Sequence, residues 1–117
     1  MTEFSEKRIV VGFADKATAD TFNELKNCQD KKPLVKAINR TIDKLKENPE
    51  FGQQIPQSLF PKEYVKRYNI NNLWRHELPL NYRMIYTIRT GNKIEILACI
   101  IEICSHSKYN GIFGYKK

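Results

Sequence analysis

From residue 73 to residue 103 the chain reads as three strands in succession, and this stretch limits what the rest can become. Leu73 to Leu78, Tyr82 to Arg89 and Ile94 to Ile103 are rich in β-branched and aromatic residues. Leu78-Pro79-Leu80-Asn81 supplies a turn between the first two, and Thr90-Gly91-Asn92-Lys93 a hairpin between the second and third. Side chains alternate along a strand, so the faces can be assigned. Tyr82, Met84, Tyr86 and Ile88 share one side, which suits a covered core. Arg83, Ile85, Thr87 and Arg89 share the other, expected to be more open. On the preceding strand Trp74, His76 and Leu78 should face the core, which predicts a buried His76 and leaves Arg75 and Glu77 on the open side.

A sheet with one apolar face needs a cover, and the upstream sequence provides it. Lys7 to Phe13 is short and β-branched, the mark of a further strand. Ala14 to Asn27 places Ala14, Ala17, Thr21 or Phe22, and Leu25 at helical spacing, with Asp15 as a cap or first-turn acid. Lys32 to Glu47 is the stronger helix. Pro33 suits its first turn, Leu34, Ile38, Ile42 and Leu45 make one stripe, and Asn48-Pro49 stops it. From Asn48 to Asn72 the periodicity dissolves into Gly, Gln, Asn and Pro, with a short helical turn expected at Pro61 to Tyr68. The expected architecture is a single α+β domain over residues 1–117. Its small antiparallel sheet packs on two N-terminal helices, in the order β-α-α-β-β-β with an irregular tail.

Composition narrows the class. At 117 residues and 41% hydrophobic there is material for one modest core. The longest apolar run, Ile94 to Ile103, is interrupted by Glu95 and Glu102 and falls short of the ~20 residues of a membrane span. Met1 to Glu6 lacks the basic-then-apolar pattern of a signal peptide. Cys28, Cys99 and Cys104 are an odd set with no paired framework, which reads as reduced thiols in a cytoplasm. The formal charge is +7 and unevenly spread. Residues 1–60 hold ten Lys/Arg against nine Asp/Glu; residues 61–117 hold ten against four. A basic half suits phosphates or an acidic protein.

Within that half, Arg83, His106 and Tyr109 are the residues with chemistry to offer. Arginine presents a planar fork, always charged, to two phosphate oxygens. Histidine, with a reference pKa of ~6.5, keeps both protonation states available for proton transfer. Tyrosine can stack under a base or hydrogen-bond through its phenol. Each has a plainer alternative. Arg83 can pair with Glu77 or Glu102, His106 can be an exposed polar residue after a strand, and Tyr109 with Phe113 can pack the tail onto the sheet. Glu77 is a candidate general base or an ion-pair partner of Arg75 or Arg83. Cys104-Ser105-His106 is at most half of a metal site, since no second Cys/His pair lies at zinc spacing.

The segments Asn72-Leu73-Trp74-Arg75 through Leu78-Pro79 and Tyr82-Arg83-Met84-Ile85-Tyr86, closed by His106-Ser107-Lys108-Tyr109, resemble the RelE/ParE superfamily of type II toxins. The resemblance implies a toxin neutralised by a cognate antitoxin. RelE-like members cleave mRNA, usually on the ribosome, while ParE-like members poison DNA gyrase and lack the nuclease residues. On a RelE-like reading, Arg83 matches the phosphate-contacting strand arginine, and His106 and Tyr109 match the C-terminal acid/base and stacking residues. Arg75, Arg89 and Lys108 would contact the nucleic-acid backbone. No cofactor is implied, and the partners would be the antitoxin, mRNA and the ribosome. The loop from Asn48 to Asn72 is longer than in compact members, and Gly111-Ile112-Phe113-Gly114-Tyr115 continues past the histidine.

Overall fold

The computed structural model describes residues 8–90 and 95–114. Lys7, residues 91–93 of the expected hairpin, Ile94 and the terminal Tyr115-Lys116-Lys117 lie outside them, as does Met1 to Glu6. The elements run β1 (Arg8–Phe13), α1 (Lys16–Lys26), α2 (Lys32–Glu47), β2 (Gln53–Gln54), α3 (Lys62–Tyr68), β3 (Trp74–Leu78), β4 (Tyr82–Arg89), β5 (Glu95–Ser105) and α4 (His106–Phe113). Single turns of 3-10 helix at Gln29–Lys31 and Gln57–Leu59 link some of them.

Local chemistry explains the helix bounds. Asp15 caps α1, its carboxylate accepting from the Thr18 backbone N–H and hydroxyl, each at 2.9 Å. The same carboxylate accepts from the Tyr68 phenol at 2.7 Å and pairs with Arg67 at 3.1 Å, so one side chain fastens α1 to α3. These donors hold the Asp15 carboxyl below its ordinary pKa, the Thr18 N–H most strongly. α2 begins with Pro33 in its first turn and buries Leu34, Ile38, Thr41 and Leu45. The Thr41 hydroxyl satisfies itself on the Ala37 carbonyl at 2.8 Å.

The sheet has the order β1-β5-β4-β3-β2. The β5-β4-β3 pairings are antiparallel, as expected; β2, a strand within the stretch read as an aperiodic connection, also pairs antiparallel with β3, but β1 runs parallel to β5. A parallel neighbour requires a crossover connection, and the helical segments between β1 and β5 provide one. On one face Phe22, Leu25, Leu34, Ile38 and Leu45 of the helices pack on Trp74, Met84, Tyr86, Ala98, Ile100 and Ile103. This is the face that the strand alternation assigned to the core.

The other face is not open. Ile85 and Thr87 are 0% and 1% exposed. The segment after α2 folds back across that side, and Ile55, Tyr64, Ile70 and Leu73 join Ile85, Ile101, Cys104, Tyr109 and Phe113 in a second core. The long aperiodic stretch is therefore a cover, with α3 where a helical turn was expected, and the irregular tail is a helix, α4. β5 is displaced by a bulge at Ile101: Ile85 pairs with Glu102, yet Tyr86 pairs with Ile100. The bulge lets β5 keep apolar residues toward both cores.

Candidate functional site at the β3–β4 turn

At the end of the second face where the β3–β4 turn meets the end of β5, Glu77 is exposed while its neighbours Arg83 and Cys104 are largely covered. Glu77, Arg83 and Cys104 stand side by side in register across β3, β4 and β5. The turn itself is constrained. Leu80 and Asn81 both have φ of 60°, and the Tyr82 N–H reaches the Pro79 carbonyl at 3.3 Å. Asparagine tolerates this left-handed conformation; for Leu80 it costs roughly 1–2 kcal/mol. The Asn81 carbonyl accepts from the His106 backbone N–H at 2.7 Å, so the turn holds the start of α4.

Arg83 is locked in place by two contacts. Its Nε donates to the Glu77 carboxylate, 3.1 Å to Oε1 and 3.0 Å to Oε2. Its guanidinium lies over the Tyr109 ring, 4.4 Å from the centroid. The side chain is only 12% exposed, whereas that of Glu77 is 57% exposed. Among the described residues its terminal Nη groups make no hydrogen bond. Of the alternatives open for Arg83, the ion pair is with Glu77 and not Glu102. That pairing leaves Glu77 engaged as a carboxylate acceptor.

Tyr109 does not stand at the surface. It is fully buried, its ring stacked on Phe113 at 4.4 Å and 21° on one side and covered by Arg83. Its phenol oxygen accepts from Arg75 Nη1 at 3.0 Å, while Arg75 Nε donates to Gln53 Oε1 at 3.1 Å. A base could not stack on this ring without displacing a neighbour. Tyr109 is placed to position two arginines, not to hold a nucleobase. Its place at i and that of Phe113 at i+4 on α4 explain the burial.

His106 opens α4, with Ser105 as the cap: the Ser105 hydroxyl accepts from the Lys108 N–H at 3.3 Å. The imidazole is exposed and, among the described residues, without a partner. A helix N-terminus carries partial positive charge, which favours an anion beside it. Lys108 Nζ pairs with Glu102 at 3.2 Å, and Glu102 also accepts from the Tyr64 phenol at 3.0 Å. Burial, more than any neighbour, pushes the Cys104 thiol up to about 12, so it is no ready thiolate.

Two expected site residues fall elsewhere. Arg89 is six positions along β4 from Arg83, roughly 20 Å at strand rise, and its Nη2 donates to the Tyr68 carbonyl. It borders a cavity of about 550 Å³ with Asn69, Asn72, Trp74 and Thr87. His76 is on the helix-covered face as assigned but is half-buried, not enclosed, its ring 4.9 Å from that of the exposed Phe51. The β2 pairing covers β3 at Trp74 and Arg75 and does not extend to His76. Among the described residues no group of three or more His, Cys, Asp or Glu could hold a metal ion. Gln53 and Phe113 complete the support of the site; Phe113 was expected as a packing partner of the tail, whereas Gln53 carried no sequence signal beyond being polar.

An antiparallel-rich sheet under two N-terminal helices is the α+β architecture that the resemblance to the RelE/ParE superfamily led one to expect. The family described as ParE toxin of type II toxin-antitoxin system, parDE, matches residues 13–100, and the chain belongs to it. The fold agrees with that of a YoeB/ParE toxin from Agrobacterium tumefaciens, at a TM-score of 0.56 and 17% identity. That likeness covers 85% of this chain and 98% of the other. No curated protein matches. Membership implies an antitoxin partner. No helix of the described residues is long and apolar enough to cross a membrane.

Proposed function

We propose that this toxin is an mRNA endonuclease that works in the cytoplasm on translating ribosomes, with Arg83 and His106 at its centre. The reading rests on one observation above others: Arg83 is held by Glu77 and Tyr109 with its Nη groups unclaimed among the described residues, and the exposed His106 starts α4 two residues after Cys104, the β5 partner of Arg83. Such a fork can take two oxygens of a scissile phosphate and stabilise the extra negative charge of the phosphorane. The 2′-oxygen attacks phosphorus as its proton leaves, and the bond to the 5′-oxygen breaks as that oxygen gains one. The products are a 2′,3′-cyclic phosphate and a free 5′-hydroxyl. His106 takes the 2′-hydroxyl proton as the phosphorane forms and, as imidazolium, gives it to the departing 5′-oxygen, while Arg75 and Lys108 contact the nucleic-acid backbone. Glu77 serves first as the anchor of Arg83, and a general-base role would require that ion pair to open.

A second reading has its own support. The match to the ParE toxin family ends at residue 100, before His106, so membership itself does not depend on the histidine. On that reading the protein inhibits gyrase. The two are separated by assaying purified toxin on translated mRNA and on gyrase supercoiling in parallel. The nuclease reading expects cleaved mRNA, unaffected gyrase, and a ~10²–10⁴-fold loss of cleavage in a folded His106→Ala variant. Intact mRNA with blocked supercoiling, or full cleavage by His106→Ala, would overturn it.

A further inference from the structure

Among the described residues the large apolar side chains that stand exposed are Phe51, Val65 and Leu80, and Leu80 is the most exposed of them at 47%. Phe51 packs its ring 4.9 Å from that of His76, and Val65 lies on α3. Leu80 lies instead at the tip of the β3–β4 hairpin, in the left-handed region with φ of 60°. A turn of two successive left-handed residues favours Gly and Asn, so Asn81 fits it and Leu80 does not. At this tip leucine strains the backbone and gains little burial in return. Strain kept without a gain in packing marks a position held for function.

The tip stands just beyond the cross-strand pair Glu77 and Arg83, with Leu78 opposite Tyr82 between them. The next residue, Asn81, ties the tip to the start of α4 through its carbonyl, which accepts from the His106 N–H at 2.7 Å. Leu80 therefore borders the two side chains assigned to the phosphate. Tyr109, the ring expected to stack on a base, is fully buried, so a nucleotide held there must find apolar contact elsewhere. We propose that Leu80 is a specificity-determining residue of the nuclease, packing its side chain on the face of a base that flanks the scissile phosphate. Bases of single-stranded RNA are free to splay out, each has an apolar face, and apolar side chains wedge against such faces. A purine, with two fused rings, covers more of the leucine than a pyrimidine does, so the contact favours purines. A protein partner fits less well, because a lone leucine is seldom the anchor of a protein interface. The proposal rests on the nuclease reading of Arg83 and His106.

The test combines urea unfolding with cleavage of mRNA on programmed ribosomes, the cut positions being read by primer extension. The parent should cut beside purines. Leu80→Asn, with Leu80→Gly as a second variant, should relieve the backbone and raise the folded-to-unfolded ratio about three- to tenfold. The same variants should show KM raised about tenfold, kcat changed less than about twofold, and no purine preference. Leu80→Met, apolar and close in volume, should keep the KM and the preference of the parent. Parental KM and base preference in Leu80→Asn would overturn the proposal, as would a Leu80→Met variant that behaves like Leu80→Asn. Lower stability in both the Asn and Gly variants would remove the strain on which it stands. A loss confined to kcat would make Leu80 a support for His106, and weaker antitoxin binding with unchanged cleavage would assign it to a protein contact; either result overturns the base contact. A parent that leaves mRNA intact overturns the nuclease reading itself, and this proposal with it.

Discussion

Replacing Tyr109 in two steps separates what its hydroxyl does from what its ring does. Tyr109→Phe keeps the ring under Arg83 and stacked on Phe113 but removes the acceptor for Arg75. A hydrogen bond to a charged donor contributes about 1.5–3 kcal/mol. Arg75 is only partly buried and regains some water, so a loss near ~1.5 kcal/mol is expected. Tyr109→Leu also removes the π-face. With Arg83 at 12% exposure the cation–π contact should contribute about 1 kcal/mol, and the ring stack on Phe113 about 1 kcal/mol more. These contacts share atoms and will not add strictly, so the leucine variant should cost about 3–4 kcal/mol. Urea unfolding at constant m-value measures both losses. The Arg83 Hε resonance, shielded by the ring, should stay put in Tyr109→Phe and move downfield in Tyr109→Leu. Equal destabilisation by the two variants, or an unmoved Hε in the leucine variant, would refute the claim that the ring holds Arg83.

Gly52 lies against the sheet, where an added Cβ would meet the Arg75 carbonyl at 2.6 Å and the Tyr86 phenol oxygen at 2.8 Å. Gly52→Ala should therefore cost about 1–3 kcal/mol and lower Tm by several degrees, with Tyr86→Phe in the same chain costing less than it does alone; an unchanged melt would show that the approach is looser. Burial holds the His76 imidazole below its ordinary pKa, with Glu77 pulling the other way. The unfolded chain then takes up the proton first, so the stability from neutral His76 is complete above pH ~6.5 and lost as pH falls through the folded value. A His76→Gln variant should show a flatter stability profile between about pH 7 and pH 5, and a profile parallel to that of the parent would refute this.

What could be read from the sequence was whatever repeats with a fixed period. The α2 stripe and the alternation of β4 located the helix-covered core, because each residue there faces one environment. The second core escaped because Ile55, Tyr64, Ile70 and Leu73 are spread among Pro, Gln and Asn with no period to reveal a common side. Ile85 and Thr87 on the supposed open face were buried by residues distant in the chain, which strand alternation cannot foresee. The bulge at Ile101 changes the facing of consecutive residues and has no composition of its own. α4 did leave a signal in Ser105 as cap, Tyr109 and Phe113 at i,i+4 and Gly114 with φ of 71°, but Asn110 and Gly111 inside it read as loop. For the candidate site, residue types and the family resemblance singled out Arg83 and His106, whereas the burial of Tyr109 and the remoteness of Arg89 follow only from three-dimensional packing.

The order of synthesis matters for a sheet arranged in this way. β5 sits between β1 and β4, so the first strand to be made has its sheet neighbour only in the last. Until residues 95–105 leave the ribosome, β1 has no strand to pair with, and α4 follows immediately behind. Contacts this far apart in sequence form late and slowly. Arg83 emerges well before Tyr109 and stays without its ring support until α4 has been made. A nascent chain that stops short of α4 therefore carries Arg83 without the ring that holds it.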